Sequence, residues 1–481
     1  MIGRMAVLIL FISVVLTPIV GAADPFGAVM DRPVVMEDRT ISTKIEGWSF
    51  MGAGLTEEDA GNMALLNARR DAIKRIESYL KSNRGRFGHK VVDLDFYTYA
   101  MDLLKVKILG NRRAVKNNMF TYVLEIEASI DLDILTERAG EIRRNRHLRS
   151  MLEAERERID GIFERISSWD FATITSRSPE VHKTVNSIKA TEWFDKGMVV
   201  GMIPRMGLAM EFYKKAVRLD PEYVNAFNNI GLIYYDVGDY DEAIESFTTA
   251  IEIDSTFALA LKNRGRTYAA INRHRKAIDD YNSAIDADSG FAEAFCLRGE
   301  SFLDLEQYQK SFDDLSSAIR LSPDYPEAYN YRGRALHGMG NIEDAISDFS
   351  TSINQDPDYA DAYLNRGMAL AETGKYKQAI QDFTRAIEID PKLKTAYVQR
   401  GLSYRELGKT EQEINDYTRA IEIDSTYAMA YYCRGITLLN SEYYSAAAGD
   451  LNRYLKLHSR DDEIAEKVRR WIEGIGHTPR Y

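Results

Sequence analysis

From residue 190 onward, glycine recurs at an interval of 34, at Gly197, Gly231, Gly265, Gly299, Gly333, Gly367, Gly401 and Gly435. No slip interrupts the series. A chain written this way cannot gather its apolar residues into one long-range core, because every unit has the same face to bury and only its neighbours to bury it against. The spacing predicts eight similar units stacked in series over residues 190–461, closed by a capping helix over 462–476.

With Ala190 as the first position, later units start at Val224, Ala258, Ala292, Pro326, Ala360, Lys394 and Ala428. The fourth position is aromatic or long and apolar (Trp193, Phe227, Tyr329, Tyr363), and the twenty-fourth is bulky (Tyr213, Phe247, Phe349, Phe383). Glycine at the eighth position and a small residue at the twentieth would let two antiparallel helices approach while the bulky pair fills the space between them. Glu413 is the exception at the twentieth position. Turn residues such as Val237-Gly238-Asp239 fall midway. Asp-Pro or Asp-Ser pairs (Asp220-Pro221, Asp254-Ser255, Asp390-Pro391, Asp424-Ser425) are expected to stop the second helix and prepare the cap of the next.

Comparing the units with one another exposes a pair. Arginine holds the seventh position in the last six units, as Arg264, Arg298, Arg332, Arg366, Arg400 and Arg434. Aspartate holds the twenty-third in the same six, as Asp280, Asp314, Asp348, Asp382, Asp416 and Asp450. The first two units lack both, carrying Lys196 with Phe212 and Ile230 with Ser246. Counted back from the turn, the two positions face each other, so an arginine–aspartate pair inside each unit is expected. The alternative is that the residues were copied together by duplication and point outward. Either way they are structural rather than catalytic.

This pattern, with Asn-Arg-Gly at Asn263-Arg264-Gly265 and again at Asn365-Arg366-Gly367, resembles the tetratricopeptide repeat family. The resemblance implies a mainly α fold, an eight-repeat α-solenoid preceded by a small α+β domain, and binding of protein along a concave wall lined by the first helices. By the same resemblance that wall receives Asn225, Asn228, Tyr235, Lys262 and Arg266 from earlier units. Later units supply Asn330, Arg334, His337, Met368, Leu402 and Tyr432. The wall so assembled is polar at first and increasingly apolar toward the C-terminus. Lys262 and Arg266, one turn apart, are expected with Arg334 to hold a carboxylate or an acidic segment through charge-assisted hydrogen bonds. The Lys and Asn positions of the family's chaperone-tail clamp are not reproduced here.

A formal charge of −11 with 28% charged residues argues against nucleic acid as the main partner, since phosphate recognition needs clustered Lys and Arg. Arg4 followed by the apolar run from Ala6 to Ile19 and the small residues Val20-Gly21-Ala22 reads as a signal peptide over residues 1–22, cleaved or else retained as an anchor. No cysteine follows the run to take a lipid. Combined with the bacterial look of the repeats, this implies a periplasmic address. Cys296 and Cys433, four units apart, read as packing residues, and two distant thiols with scattered histidines build no metal site.

Residues 38–135 read as the α+β domain. Ile41 to Phe50 has strand character, and Ala60, Ala64, Ala68, Ala72, Ile76 and Leu80 line a helix face of mostly small side chains. Leu104, Val106 and Ile108, then Tyr122 to Ile130, alternate as two strands, with a basic connection expected over Gly110 to Asn118. The order of these elements, with Gly47 and Asn67-Ala68-Arg69-Arg70-Asp71-Ala72, resembles small bacterial envelope lipoproteins and the N-terminal domain of flagellar assembly protein T. A charged helix is expected over residues 136–167, docked on a neighbouring element, and a Ser/Thr-rich linker over 168–187.

No His-Glu-x-x-His, Gly-x-Ser-x-Gly, phosphate-binding glycine loop or Cys-x-x-Cys occurs in the sequence. No cofactor or metal is called for. The sequence therefore reads as a non-enzymatic periplasmic scaffold with a protein or peptide partner. The alternative is an envelope or flagellar/secretion assembly accessory that acts mainly through its N-terminal domain.

Overall fold

The computed structural model describes residues 34–37, 40–51, 57–82, 104–116, 119–132, 157–159, 161–162, 179–201, 206–458 and 462–476. The signal segment, most of the charged segment and residues 168–178 of the expected linker lie outside them. The chain divides into two compact units, residues 1–267 and 268–481. The division falls after Thr267, inside the repeats rather than in the expected linker.

In the first unit, strands β1 (Val35–Glu37), β2 (Thr40–Met51), β3 (Lys105–Lys116) and β4 (Met119–Asp131) form an antiparallel sheet in the order β1-β2-β4-β3. Pairing of Ile41 with Ile130 and of Ile45 with Ile126 sets these side chains into one core. Helix α1 (Glu57–Ser82) supplies Ala60, Ala64, Ala68, Ala72 and Ile76 to the same core. Small side chains let the helix sit very close. A Cβ on Gly47 would lie 1.9 Å from the Ala64 carbonyl oxygen and 2.6 Å from Ala68 Cβ. Beside this contact Asn67 Nδ2 donates to the Trp48 carbonyl at 2.8 Å. Strand β3 runs on to Lys116, where the sequence had suggested a loop from Gly110. A bulge between Ile108 and Gly110 shifts the register, which breaks the alternation that strand recognition relies on.

The expected linker is also helical in its second half. Helix α2 starts at Pro179, whose fixed φ suits a first helical turn, and continues to Gly201. Its hydroxyls pack instead of loosening the chain: Thr184, Ser187 and Thr191 are all buried. Residues 157–159 and 161–162 are helical, with Ile159 and Ile162 buried. Just ahead of those isoleucines, the Arg158 guanidinium reaches the first pair of helices. Its Nη2 donates to Asp220 Oδ2 and to the Ser187 carbonyl, each at 2.9 Å, and its carbon lies 3.5 Å from the centre of the Tyr223 ring. Ser187 Oγ donates to the same carboxylate oxygen. The Arg158 and Ser187 bonds, together with the Glu222 amide, hold the Asp220 carboxyl below its usual range although burial pushes the other way. The rest of this unit comprises α3 (Met206–Leu219), α4 (Val224–Val237), α5 (Tyr240–Ile253) and most of α6 (Ala258–Ala270).

The second unit continues with α7 (His274–Ala287), α8 (Ala292–Asp304), α9 (Tyr308–Leu321), α10 (Pro326–Gly338) and α11 (Ile342–Gln355). Then come α12 (Ala360–Glu372), α13 (Tyr376–Ile389), α14 (Lys394–Glu406), α15 (Thr410–Ile423), α16 (Ala428–Asn440) and α17 (Tyr444–Leu457). In each pair from α8/α9 to α16/α17 the bulky twenty-fourth residue lies on the eighth-position glycine. A Cβ on Gly367 would sit 2.6 Å from Phe383 Cε1, and one on Gly401 at 2.6 Å from Tyr417 Cε1. The fifteenth position is left-handed in every described turn: Gly340, Gly374 and Gly408 adopt it without strain, whereas Glu306 (φ 57°) and Glu442 (φ 65°) are forced into it.

The aspartates that end the second helices do not cap the next helix. Asp288, Asp356, Asp390 and Asp424 accept from the amide two residues on, folding an Asx turn. The residue at each cap is instead apolar or aromatic (Phe291, Tyr359, Leu393, Tyr427) and makes no side-chain cap bond. Helix α18 (Glu463–Gly476) packs on α17 through Val468 and Ile472, with Ala465 buried beside them and Ile464 44% exposed.

Successive first helices α8, α10, α12, α14 and α16 also pack on one another, and successive second helices make no comparable contact. Closer spacing on one side bends the stack, so within this unit the first helices form the inner wall. Replacing Gly367 by Ala should cost roughly 1 to 2 kcal/mol, the overpacking penalty less the gain in helix propensity. Glu306→Gly and Glu442→Gly should each stabilise by up to about 1 kcal/mol. Thermal unfolding of the three variants checks both signs.

Candidate protein-interaction surface

One guanidinium per unit fixes how the inner wall is held. Arg366 donates through Nε and Nη2 to both oxygens of Asp382, each at 2.8 Å, and through Nη1 to Ser350 Oγ of the preceding pair at 3.1 Å. Arg400 repeats this with Asp416 and Thr384, and Arg434 with Asp450 and Thr418. Arg332 takes Asp348 and Ser316, and Arg298 takes Asp314 and Asn282. In the first unit Arg264 Nη1 donates to Thr248 Oγ1 at 3.1 Å. The aspartates are nearly enclosed (Asp382 at 9% side-chain exposure), and each arginine from Arg298 to Arg434 also lies near the aromatic ring three residues before it. The Asp382 bond raises the Arg366 pKa against the opposing effect of burial. The third partner had a sequence signal of its own. Thr248, Asn282, Ser316, Ser350, Thr384 and Thr418 occupy the twenty-fifth position, and each precedes a unit with arginine. Lys214 stands there before the unit that carries Ile230.

The wall residues expected from sequence are not equally available. In the first unit Asn225, Asn228 and Lys262 are buried. Asn228 Oδ1 accepts from Asn263 Nδ2 at 2.8 Å, which locks α4 to α6. Arg266 is exposed, but its guanidinium sits 4.5 Å from the Tyr235 ring centre. Lys262 and Arg266 therefore do not form an open two-cation clamp.

The second unit repeats the asparagine lock. Asn330, 1% exposed, accepts from Asn365 Nδ2 at 2.9 Å and donates to the Tyr359 hydroxyl. Arg334 lies over Tyr331, and His337 Nε2 is 2.7 Å from Glu372 Oε2. Met368 is exposed, while Leu402 and Tyr432 are half-buried, with the Tyr432 ring 5.2 Å from that of Tyr454. Met429, 49% exposed, was not among the expected residues, although it holds the second position of its unit, as Asn225 does in an earlier one.

No group of His, Cys, Asp and Glu among the described residues could hold a metal ion, and both cysteines are buried, free thiols. No described helix is long and apolar enough to cross a membrane. One buried acid stands out. Glu413 is 2% exposed, accepts from the hydroxyls of Thr437 and Tyr417, and has its pKa raised chiefly by burial.

The tetratricopeptide repeat model matches residues 224–257 and 360–393, and the TPR repeat model matches 207–238, 299–340, 333–374 and 401–441. These units are tetratricopeptide repeats. Such repeats mediate protein–protein interaction. A tetratricopeptide repeat protein from Parabacteroides merdae is 21% identical over 52% of this chain and 98% of its own, with a TM-score of 0.44. YrrB, a TPR protein with an unusual peptide-binding site, is 27% identical over 39% of this chain and 96% of its own, with a TM-score of 0.33. PilF of Pseudomonas aeruginosa is 17% identical over 43% of this chain and 93% of its own, with a TM-score of 0.39. No curated protein sequence matches the chain.

Two measurements test the energetics of the repeats. Arg366→Ala and Asp382→Ala should each cost up to roughly 3 kcal/mol, and the double variant much less than their sum, since either single change strands a shielded charge. Glu413 is the second case. Its raised pKa means that folding favours the protonated acid: its contribution is complete below about pH 4.5, its unfolded value, and is lost as pH rises through the folded pKa. Glu413→Gln should therefore raise the melting temperature at neutral pH and lose that advantage on acidification. A pH-independent difference would show the acid to be unperturbed.

Proposed function

We propose that this chain is a non-enzymatic periplasmic scaffold that grips a segment of another polypeptide along the first helices of residues 268–481. The observation that carries the reading is the inner wall itself. The first helices are drawn together, locked by asparagine and arginine bonds, and still leave Met368, Leu402, Tyr432 and Met429 wholly or partly open. Apolar side chains on a rigid, accessible wall lower the ordering cost of binding an extended chain. The periplasmic address follows from the apolar run and small residues ahead of residue 23, and the N-terminal sheet and helix are read as an envelope-assembly type of domain.

A photocrosslinking residue at Met368 should trap a polypeptide in cells, whereas the same residue at Arg385, on the second helix α13, should not. Equal yields from both positions, or none from Met368, would remove the wall as the binding surface. The first 22 residues, fused to a reporter active only outside the cytoplasm, should switch it on.

A further inference from the structure

The wall of the second unit changes character along its length. At the second position of successive first helices stand Glu293, Glu327, Asp361, Thr395 and Met429; at the ninth stand Glu300, Arg334, Met368, Leu402 and Ile436. Glu327 and Asp361 are exposed, and among the described residues neither forms an ion pair. Arg334, the cation of this stretch, is drawn over the Tyr331 ring. The carboxylates act on what lies between them. After burial, Glu300 is the main cause that holds the Tyr331 phenol far above its ordinary value, and Asp361 and Glu327 add to the rise at Tyr359. From Met368 on α12 onward the acids give way to the apolar row of Met368, Leu402, Tyr432 and Ile436.

Resting on the reading that this wall holds a polypeptide, we propose that its occupant is an extended segment of two parts. The part lying on α8, α10 and α12 is rich in Lys or Arg, and the part lying on α12, α14 and α16 is apolar. A cationic side chain beside the exposed carboxylates of Glu327 and Asp361 gains Coulomb attraction, and an acidic segment there is repelled. This reverses the charge that Lys262 and Arg266 had suggested.

The test uses the full chain and three labelled peptides of equal length. All share one half of Leu and Phe residues; the other half carries Lys, Gln or Glu. Fluorescence anisotropy should rank them Lys over Gln over Glu, the Lys peptide binding about tenfold more tightly than the Gln peptide at low salt. That advantage should vanish in Glu327→Gln/Asp361→Asn and at about 1 M salt, where exposed charges are screened. Equal affinities for the three would overturn the basic occupant and leave the wall standing. Met368→Asp/Leu402→Asp, with unchanged circular dichroism, should weaken all three. Undiminished binding to that variant would overturn the wall as well, as would failure of every peptide to bind alongside an empty crosslink at Met368.

Discussion

A missing side chain sets the geometry of the helical part of this protein. At the eighth position of the pairs that carry Gly197, Gly231 and Gly299 to Gly435, an aromatic ring or a leucine occupies the place a Cβ would need, so the two helices meet at a distance no other residue allows. Everything that follows depends on that separation. It brings arginine within reach of aspartate inside the pair and within reach of a hydroxyl on the pair before, so a single planar group closes two interfaces. The N-terminal domain applies the same solution once, at Gly47, where strand and helix meet backbone to backbone.

Much of this was legible because repetition serves as an internal control. Eight copies of one pattern separate what the fold demands (glycine, the bulky partner, a turn) from what a single position happens to carry. The repeat fold and the small sheet domain could be read in that way. The same control was available for the twenty-fifth position, but its residues vary between Ser, Thr and Asn, and only their shared ability to accept a hydrogen bond unites them.

The errors have physical causes as well. Hydroxyl-rich composition suggested a linker where α2 begins, yet Thr184, Ser187 and Thr191 turn inward, and Arg158 and Asp220 use the latter two as hydrogen-bond partners. Asn228 and Asn330 looked like groove residues because polar side chains on a first helix commonly face water. Here each is consumed by the asparagine one unit later, which no rule of thumb about single positions reveals. Lys262 shows the same limit: sequence periodicity gives the face of a helix, not how deeply a neighbour covers it.

The absent arginine at Ile230 has a mechanical meaning. The junction between the first two helical pairs is the one the guanidinium clasp skips, and the first pair is tethered instead to the chain that leads out of the sheet domain, through Arg158 and Asp220. That seam is closed instead by Lys214 Nζ, which donates to the Tyr234 hydroxyl at 3.3 Å, and by Asn229 Nδ2, which donates to Met198 Sδ at 3.4 Å. A flexible amine and a single amide thus stand where a rigid guanidinium fork would tie three groups at once, so this joint is made of separate bonds that can give one at a time.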